Sequence, residues 1–289
     1  MVTMVLLSAA TSLALIARAR AKAASAETFQ VVARAAAESA LAEAGRRFVA
    51  KSGDCDSPTE ALFDPTRPLK LPRGGVDVEV RLVPLDDRIP LKGLFLPDEV
   101  TVRREYEGAL RRLFRKLGKE RLTERFLDGL DRDSTPRPGG GEADSDLSRV
   151  PADLSELLSI PGIDRELLYT GTPDCPGGLS SGLTVFGDEK ININVADPAV
   201  LPLLDDKIDD RAAAALAYAR NLLPLKDAGD LKKVPGFPQD AVARIANVLQ
   251  FQSSYVRATI LVRRGADIRR FVAILRRAES APALVRWEE

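Results

Sequence analysis

The densest chemistry in this chain is acidic. From Asp131 to Asp146 it reads DRDSTPRPGGGEADSD, which puts Asp131, Asp133, Glu142, Asp144 and Asp146 on one glycine-rich loop. Carboxylate oxygens in such number suit a hard divalent cation, and calcium takes six to eight oxygen ligands. Asp131, Asp133, Glu142 and Asp144 are the candidate calcium ligands. The spacing is not that of an EF-hand, which carries glycine at its sixth position; counted from Asp131, that position is Pro136. The alternative for the same residues is a solvated acidic loop. A flexible glycine-rich setting is also a poor frame for carboxylate catalysis, which needs rigid support.

Composition removes most other chemistry. The 289 residues include no histidine, so Ser-His-Asp and Cys-His catalysis and the commonest transition-metal ligand are gone. Two cysteines, Cys55 and Cys175, exclude a multi-cysteine zinc site and admit one disulfide in an oxidising compartment. There is no nucleophile motif and no Gly-x-x-x-x-Gly-Lys phosphate loop. The chain reads as non-catalytic. Its 42 basic residues balance 42 acidic ones, so no global field draws in nucleic acid.

Two Pro-Gly turns organise the middle of the chain: Ile160-Pro161-Gly162-Ile163 and Val234-Pro235-Gly236-Phe237. Each follows an apolar run with a leucine just upstream, Leu157 or Leu231, and precedes another helix-like run. Two helix–turn–helix units are predicted, with the extended stretch Lys190 to Val195 between them. Turns of this kind can bind DNA phosphates through exposed backbone N–H groups. Here Asp164 follows the first turn and would repel a phosphate, while Pro238 follows the second and donates no N–H. Asp240 adds another negative charge, and Lys232-Lys233 lie before the turn. Packing is favoured for Pro161, Gly162, Pro235 and Gly236, and no nucleic acid is expected as partner. The rival reading is a membrane-tethered helix–hairpin–helix DNA-binding protein.

The framework around these units is legible in periodicity. Residues 1–17 carry no charge, and Arg18, Arg20 and Lys22 follow. A spanning helix needs about 20 apolar residues, so the run is slightly short, yet a membrane anchor suits it better than a signal peptide or a buried soluble helix. The helical pattern continues to residue 50, giving about 48 residues and ~70 Å at 1.5 Å per residue. A small-residue stripe of Val31, Val32, Ala35, Ala36, Ser39, Ala40 and Ala44 marks its packing face. Residues 76–83 alternate as a half-buried strand. Residues 97–130 take a helical period, with Tyr106, Leu110, Leu113, Phe114 and Leu117 on one face. Residues 251–262, 271–275 and 283–287 read as a three-strand meander. The long helix covers a sheet made by that meander and strand 76–83, so the fold class is α+β with a large helical insertion.

With those elements in place, the chain resembles minor pseudopilin K of the bacterial type II (general) secretion pathway. The stretches Asp128 to Asp133, Pro136 to Glu142, LSELLSIPGI (Leu154 to Ile163) and KININVA (Lys190 to Ala196) are similar to that family's motifs, as are the LKKVPGF turn and the closing strands. The resemblance implies a pilin-like fold with an inserted all-helical domain holding SAM-like, helix-hairpin-helix-type modules. The implied divisions are 1–50, membrane-anchoring and pilin helix; 51–92, first part of the α/β domain; 93–189, inserted helical domain with the first SAM-like module; 190–250, the ININVA strand and second module; and 251–289, the closing strands. It implies a non-catalytic subunit that helps initiate and cap the pseudopilus for protein export, with minor pseudopilins I and J and the pseudopilus tip as partners. The chain would sit in the inner membrane through residues 1–17, with its bulk in the periplasm, where a Cys55–Cys175 disulfide is chemically allowed. Family members can bind calcium, and the acidic loop is where such a site is expected. The amino terminus departs from the family: a prepilin leader ends in a glycine preceded by basic residues, and neither is present. The expectation is a start internal to a longer leader, or a degenerate anchor.

Overall fold

The computed structural model describes every residue except 1, 52, 54, 58, 143–146 and 280, and for residues 2–9 it describes the backbone alone. The chain divides into two compact units: residues 1–50, 65–82 and 257–289 form one, and residues 51–64 and 83–256 the other.

The first unit is a helix on a sheet. Helix α1 (Val2–Val49) is uninterrupted. The sheet has five strands in chain order: β1 (Leu69–Lys70), β2 (Asp77–Pro84), β3 (Tyr255–Arg264), β4 (Asp267–Arg276) and β5 (Ala283–Glu288). The outer pairs, β1 with β2 and β4 with β5, run antiparallel. Strand β2 alternates as expected, with Val78, Val80 and Leu82 buried. The meander also forms, with strands longer than the apolar runs alone mark.

The packing face of α1 overlaps the small-residue stripe in part: Ala36, Ala40 and Ala44 lie on it and Val32 is half-buried. Phe29, Ala33, Ala36, Ala37, Ala40, Leu41, Ala44 and Phe48 are buried, whereas Val31 is 71% exposed and Ala35 and Ser39 also face solvent. Two aromatic anchors set the phase. The Arg264 guanidinium lies 4.6 Å from the centre of the Phe29 ring, and that of Arg277 lies 4.1 Å from Phe48. Between them the alanines let the helix approach the sheet closely. At Gly45 a Cβ would lie 2.6 Å from Pro282 Cγ.

The second unit is built from short helices: α2 (Arg104–Lys116), α3 (Leu122–Asp128), α4 (Arg165–Tyr169), α5 (Leu179–Gly182), α6 (Leu201–Leu204), α7 (Asp210–Leu222), α8 (Ala228–Leu231) and α9 (Gln239–Ile245). A 3-10 helix, Leu154–Ser159, precedes α4. Helices this short are marginal alone and are held by caps and a shared core. Asp153, Asp164, Asp209 and Asp227 cap the helices that follow them, each worth about 1 kcal/mol against alanine. Arg112 on α2 donates to the carbonyls of Leu203 and Leu204 at 2.7 and 2.8 Å, closing the carboxyl end of α6. The expected face of α2 is buried: Tyr106, Leu110, Leu113, Phe114 and Leu117 are at most 4% exposed. Residues 51–64 and 85–92, assigned from sequence to the α/β domain, cluster with this helical unit, and both turn modules fall within it.

Candidate functional site

The acidic loop starts where α3 ends, and one buried carboxylate organises it. Asp128 accepts from Gly141 N at 2.7 Å, Arg137 N at 3.2 Å and Arg137 Nη1 at 2.7 Å. Arg137 also donates to the carboxylate of Asp131 and, through Nη2, to the Val100 carbonyl at 2.9 Å. Gly140 is required by contact: a Cβ there would meet Asp128 Oδ2 at 2.0 Å. The fold thus turns a stretch that reads as flexible into a loop cross-linked by an arginine.

On this frame, carboxylate oxygens of Asp131, Asp133 and Glu142 lie within 4.8 Å of one another. Asp131 is 1% exposed, and its Oδ1 has no hydrogen-bond partner among the described residues. Asp133 accepts from Thr135 N at 2.8 Å. Burial pushes the Asp131 carboxyl above its ordinary value, against the pull of Arg137, while Asp133 and Asp128 repel its charge. A buried oxygen without a donor, beside two further carboxylates, offers hard oxygen ligands of the kind calcium takes, though fewer than its usual six to eight. Three of the four sequence-predicted ligands are brought together; Asp144 lies outside the described residues, as does Asp146.

The Pro-Gly turns are packing elements. Ile160, Ile163, Val234 and Phe237 are all buried. The backbone N–H groups of Ile163 and Phe237 close on the carbonyls of Ile160 and Val234 at 3.0 and 3.2 Å. Gly162 and Gly236 have φ of 92° and 81°, which favours glycine. Asp164 takes the Leu167 N–H at 2.7 Å, and Lys233 pairs with Asp230 at 2.7 Å. The DNA-binding reading draws no support from these turns, because the Ile163 and Phe237 amides are already closed on carbonyls of the turns themselves.

Cys55 and Cys175 are not joined by a disulfide. The Cys175 thiol is buried and turned to its own loop, donating to Gly178 O at 3.7 Å beside Ser181 Oγ at 3.5 Å.

Sequence reasoning missed a buried polar cluster. Asn192 Nδ2 donates to Asp56 Oδ2 at 3.0 Å and to Ser253 Oγ at 2.8 Å, and Lys51 Nζ donates to Asp56 Oδ1 at 2.5 Å. Asn194 bonds both backbone groups of Leu225, Nδ2 to O at 2.7 Å and Oδ1 from N at 2.9 Å. Asp86 accepts from Ser254 N at 2.8 Å and Tyr255 N at 3.0 Å. The signal was the pair of asparagines in KININVA: polar side chains in an apolar strand call for buried partners.

Among the described residues no helix is long and apolar enough to cross a membrane. Leu13, Leu15 and Ile16 of the run expected to anchor the chain are exposed on α1, and the side chains of residues 1–9 lie outside the described residues.

No family model and no curated protein matches this chain. Among solved structures it matches a chain of the crystal structure of the GspK-GspI-GspJ complex from the enterotoxigenic Escherichia coli type 2 secretion system. The two are 15% identical, the TM-score is 0.60, and the match covers 94% of this chain and 98% of the other. At that identity the likeness is one of fold: a pilin-like long helix on an antiparallel sheet, shared with a protein of the complex that the sequence motifs also resemble.

Proposed function

We propose that this chain is a minor pseudopilin of a type II secretion system, a non-catalytic subunit that helps initiate and cap the pseudopilus during protein export. The observation that carries this reading is the extent of the fold match, which spans 94% of the chain and so takes in the helical unit as well as the helix-on-sheet unit. The motifs Leu154 to Ile163 and Lys190 to Ala196 support it independently, since their apolar residues and asparagines build the core of the helical unit. On this reading the partners are pseudopilins I and J, residues 1–17 lie in the inner membrane, the bulk of the chain is periplasmic, and the two turn modules are SAM-like. Asp131, Asp133 and Glu142 would hold a calcium ion that fixes the acidic loop, with Asp144 as a further ligand.

The test is to purify the full chain in detergent, mix it with pseudopilins I and J of the same organism, and measure size by gel filtration with light scattering. An equimolar ternary complex is expected. Three separate peaks would sink the tip-subunit reading.

A further inference from the structure

The balanced charge of the chain conceals a division. The helix-on-sheet unit carries 18 basic residues against 9 acidic ones, and the helical unit 24 against 33. The excess of nine positive charges is gathered in part at one place, the tip of the β3–β4 hairpin. There Arg263, Arg264, Arg269 and Arg270 flank the turn at Gly265-Ala266, and Ile268 stands 57% exposed among them. Arg264 donates to the Ser25 carbonyl of α1 at 3.0 Å, so the tip lies beside α1 at that level. At the far end of β4, Leu275 meets Gly45, which orients the hairpin tip toward the amino-terminal half of the helix. Arg18, Arg20 and Lys22 follow within about 10 Å of Ser25 along the axis at 1.5 Å per residue. All three are exposed, as is every described side chain from residue 10 to residue 28.

The acidic groups nearby compensate only part of this. Asp267 lies 3.8 Å from Arg264 and Glu79 lies 3.7 Å from Arg263, while Glu27 is exposed on α1. Among the described residues no carboxylate pairs with Arg269, Arg270, Arg18, Arg20 or Lys22.

We propose that the β3–β4 hairpin tip and the Arg18–Lys22 turn of α1 form one basic collar that docks on anionic phospholipid headgroups, with Ile268 entering the boundary between headgroups and acyl chains. Charge complementarity names the partner class. The choice of lipid over nucleic acid rests on the apolar component: an exposed isoleucine stands among the arginines, and an uncharged run leads into Arg18 on the same helix. Basic side chains with an apolar tip at one level match an interface that is anionic outside and apolar inside, whereas a duplex offers no apolar layer beneath its phosphates. The collar depends on the secretion reading only for the presence of a membrane beside the chain; it acts at the surface and does not require residues 1–17 to span.

The experiment uses the full chain, reconstituted from detergent and floated with vesicles of phosphatidylcholine alone or of phosphatidylcholine with phosphatidylglycerol. The readouts are the ratio of the two partition coefficients and hydrogen exchange over residues 263–270. Each basic residue at an anionic surface contributes roughly a five-fold preference, so Arg269→Gln with Arg270→Gln lowers the ratio by about 30-fold. Both arginines are exposed, so the melting temperature should not change. Hairpin protection should appear with the anionic vesicles alone and vanish in high salt. Ile268→Asn should weaken binding to anionic vesicles, and Lys232→Gln with Lys233→Gln should leave the ratio unchanged. A wild-type ratio near one, or an unchanged ratio in the arginine variant, overturns the proposal. So does displacement from the vesicles by duplex DNA at matched phosphate. Partition into neutral vesicles reports residues 1–17 separately, so its loss counts against the anchor and leaves the collar standing.

Discussion

Replacing Asp86 by asparagine should stabilise this protein at neutral and higher pH and flatten its pH dependence. Asp86 is fully buried, and one oxygen takes two backbone N–H groups while Oδ1 has no partner among the described residues. Burial raises its pKa from the ordinary 3.8 to about 7, against the two N–H donors and helped by the charges of Asp56 and Asp188. The folded state therefore keeps a proton that the unfolded chain loses near pH 4. Between those values the unfolded state binds fewer protons, so stability falls as pH rises and levels off above about 7. At about 1.36 kcal/mol per pH unit the full effect is roughly 4 kcal/mol, with roughly 3 of it between pH 5 and 8. The amide of the variant would keep an acceptor for Ser254 and Tyr255 and carry no charge at any pH. Urea unfolding followed by circular dichroism at pH 5, 6, 7 and 8 measures both proteins. The wild type should lose about 3 kcal/mol over that range and Asp86→Asn much less of it, with the variant the more stable at pH 8. Equal destabilisation of Asp86→Asn at every pH would refute the reasoning, because it would mean that a charged Asp86 is satisfied in the folded state.

Three further outcomes follow from the same structure. Calcium should raise the melting temperature of the wild type, by an amount equivalent to about 2.7 kcal/mol at a hundred-fold excess over Kd, and Asp131→Asn with Glu142→Gln should abolish that shift in differential scanning calorimetry. Asn194→Ala leaves both backbone groups of Leu225 without their side-chain partner, which should cost roughly 2–4 kcal/mol in denaturant unfolding; a cost near zero would mean that water replaces the amide. Phe48→Ala removes a fully buried ring and the seat of Arg277; a loss of about 3–5 kcal/mol is expected, read from the Trp287 fluorescence transition.

How much of this was legible in the sequence depends on whether the information was local. The alternation of Val78, Val80 and Leu82, the helical period of Tyr106 to Leu117 and the three closing strands all appear where periodicity puts them, because each pattern lies within one element. The face of α1 was placed only in part: Ala36, Ala40 and Ala44 pack as expected, but Val31 and Ala35 fit the same helical period and face solvent. What decides between the faces is Phe29 and Phe48 under two arginines, one in β3 and one just past β4, more than 200 residues away in the chain. The acidic loop was found by composition, but its organiser was not: Asp128 reads as the end of a helix until Arg137 and Gly141 fold back on it. The buried partners of Asn192 come from residues 56 and 253, and no local pattern announces such a meeting. The disulfide failed for a related reason, because chemical permission for two thiols to bond says nothing about where the chain puts them.

The division of charge between the two units has an architectural cause on one side only. A unit of many short helices needs many amino-terminal caps, and aspartate supplies them at Asp153, Asp164, Asp209 and Asp227. Others are tied into its interior: Asp56 to Lys51 and Asn192, Asp128 to Arg137, and Asp205 to Arg244 at 2.6 Å, which holds the Asp205 carboxyl down at about 2. These seven of the 33 acidic residues of the helical unit therefore serve to make its helices begin and its loops hold. The helix-on-sheet unit has one long helix and few caps to fill, so folding makes no comparable demand for its arginines. Arg264 and Arg277 do structural work on Phe29 and Phe48, yet Arg269 and Arg270 stand exposed on a hairpin that would form without them. Charge that the fold does not need, placed beside an apolar residue at the level where an apolar helix emerges, is the part of the electrostatics left to be explained by a partner.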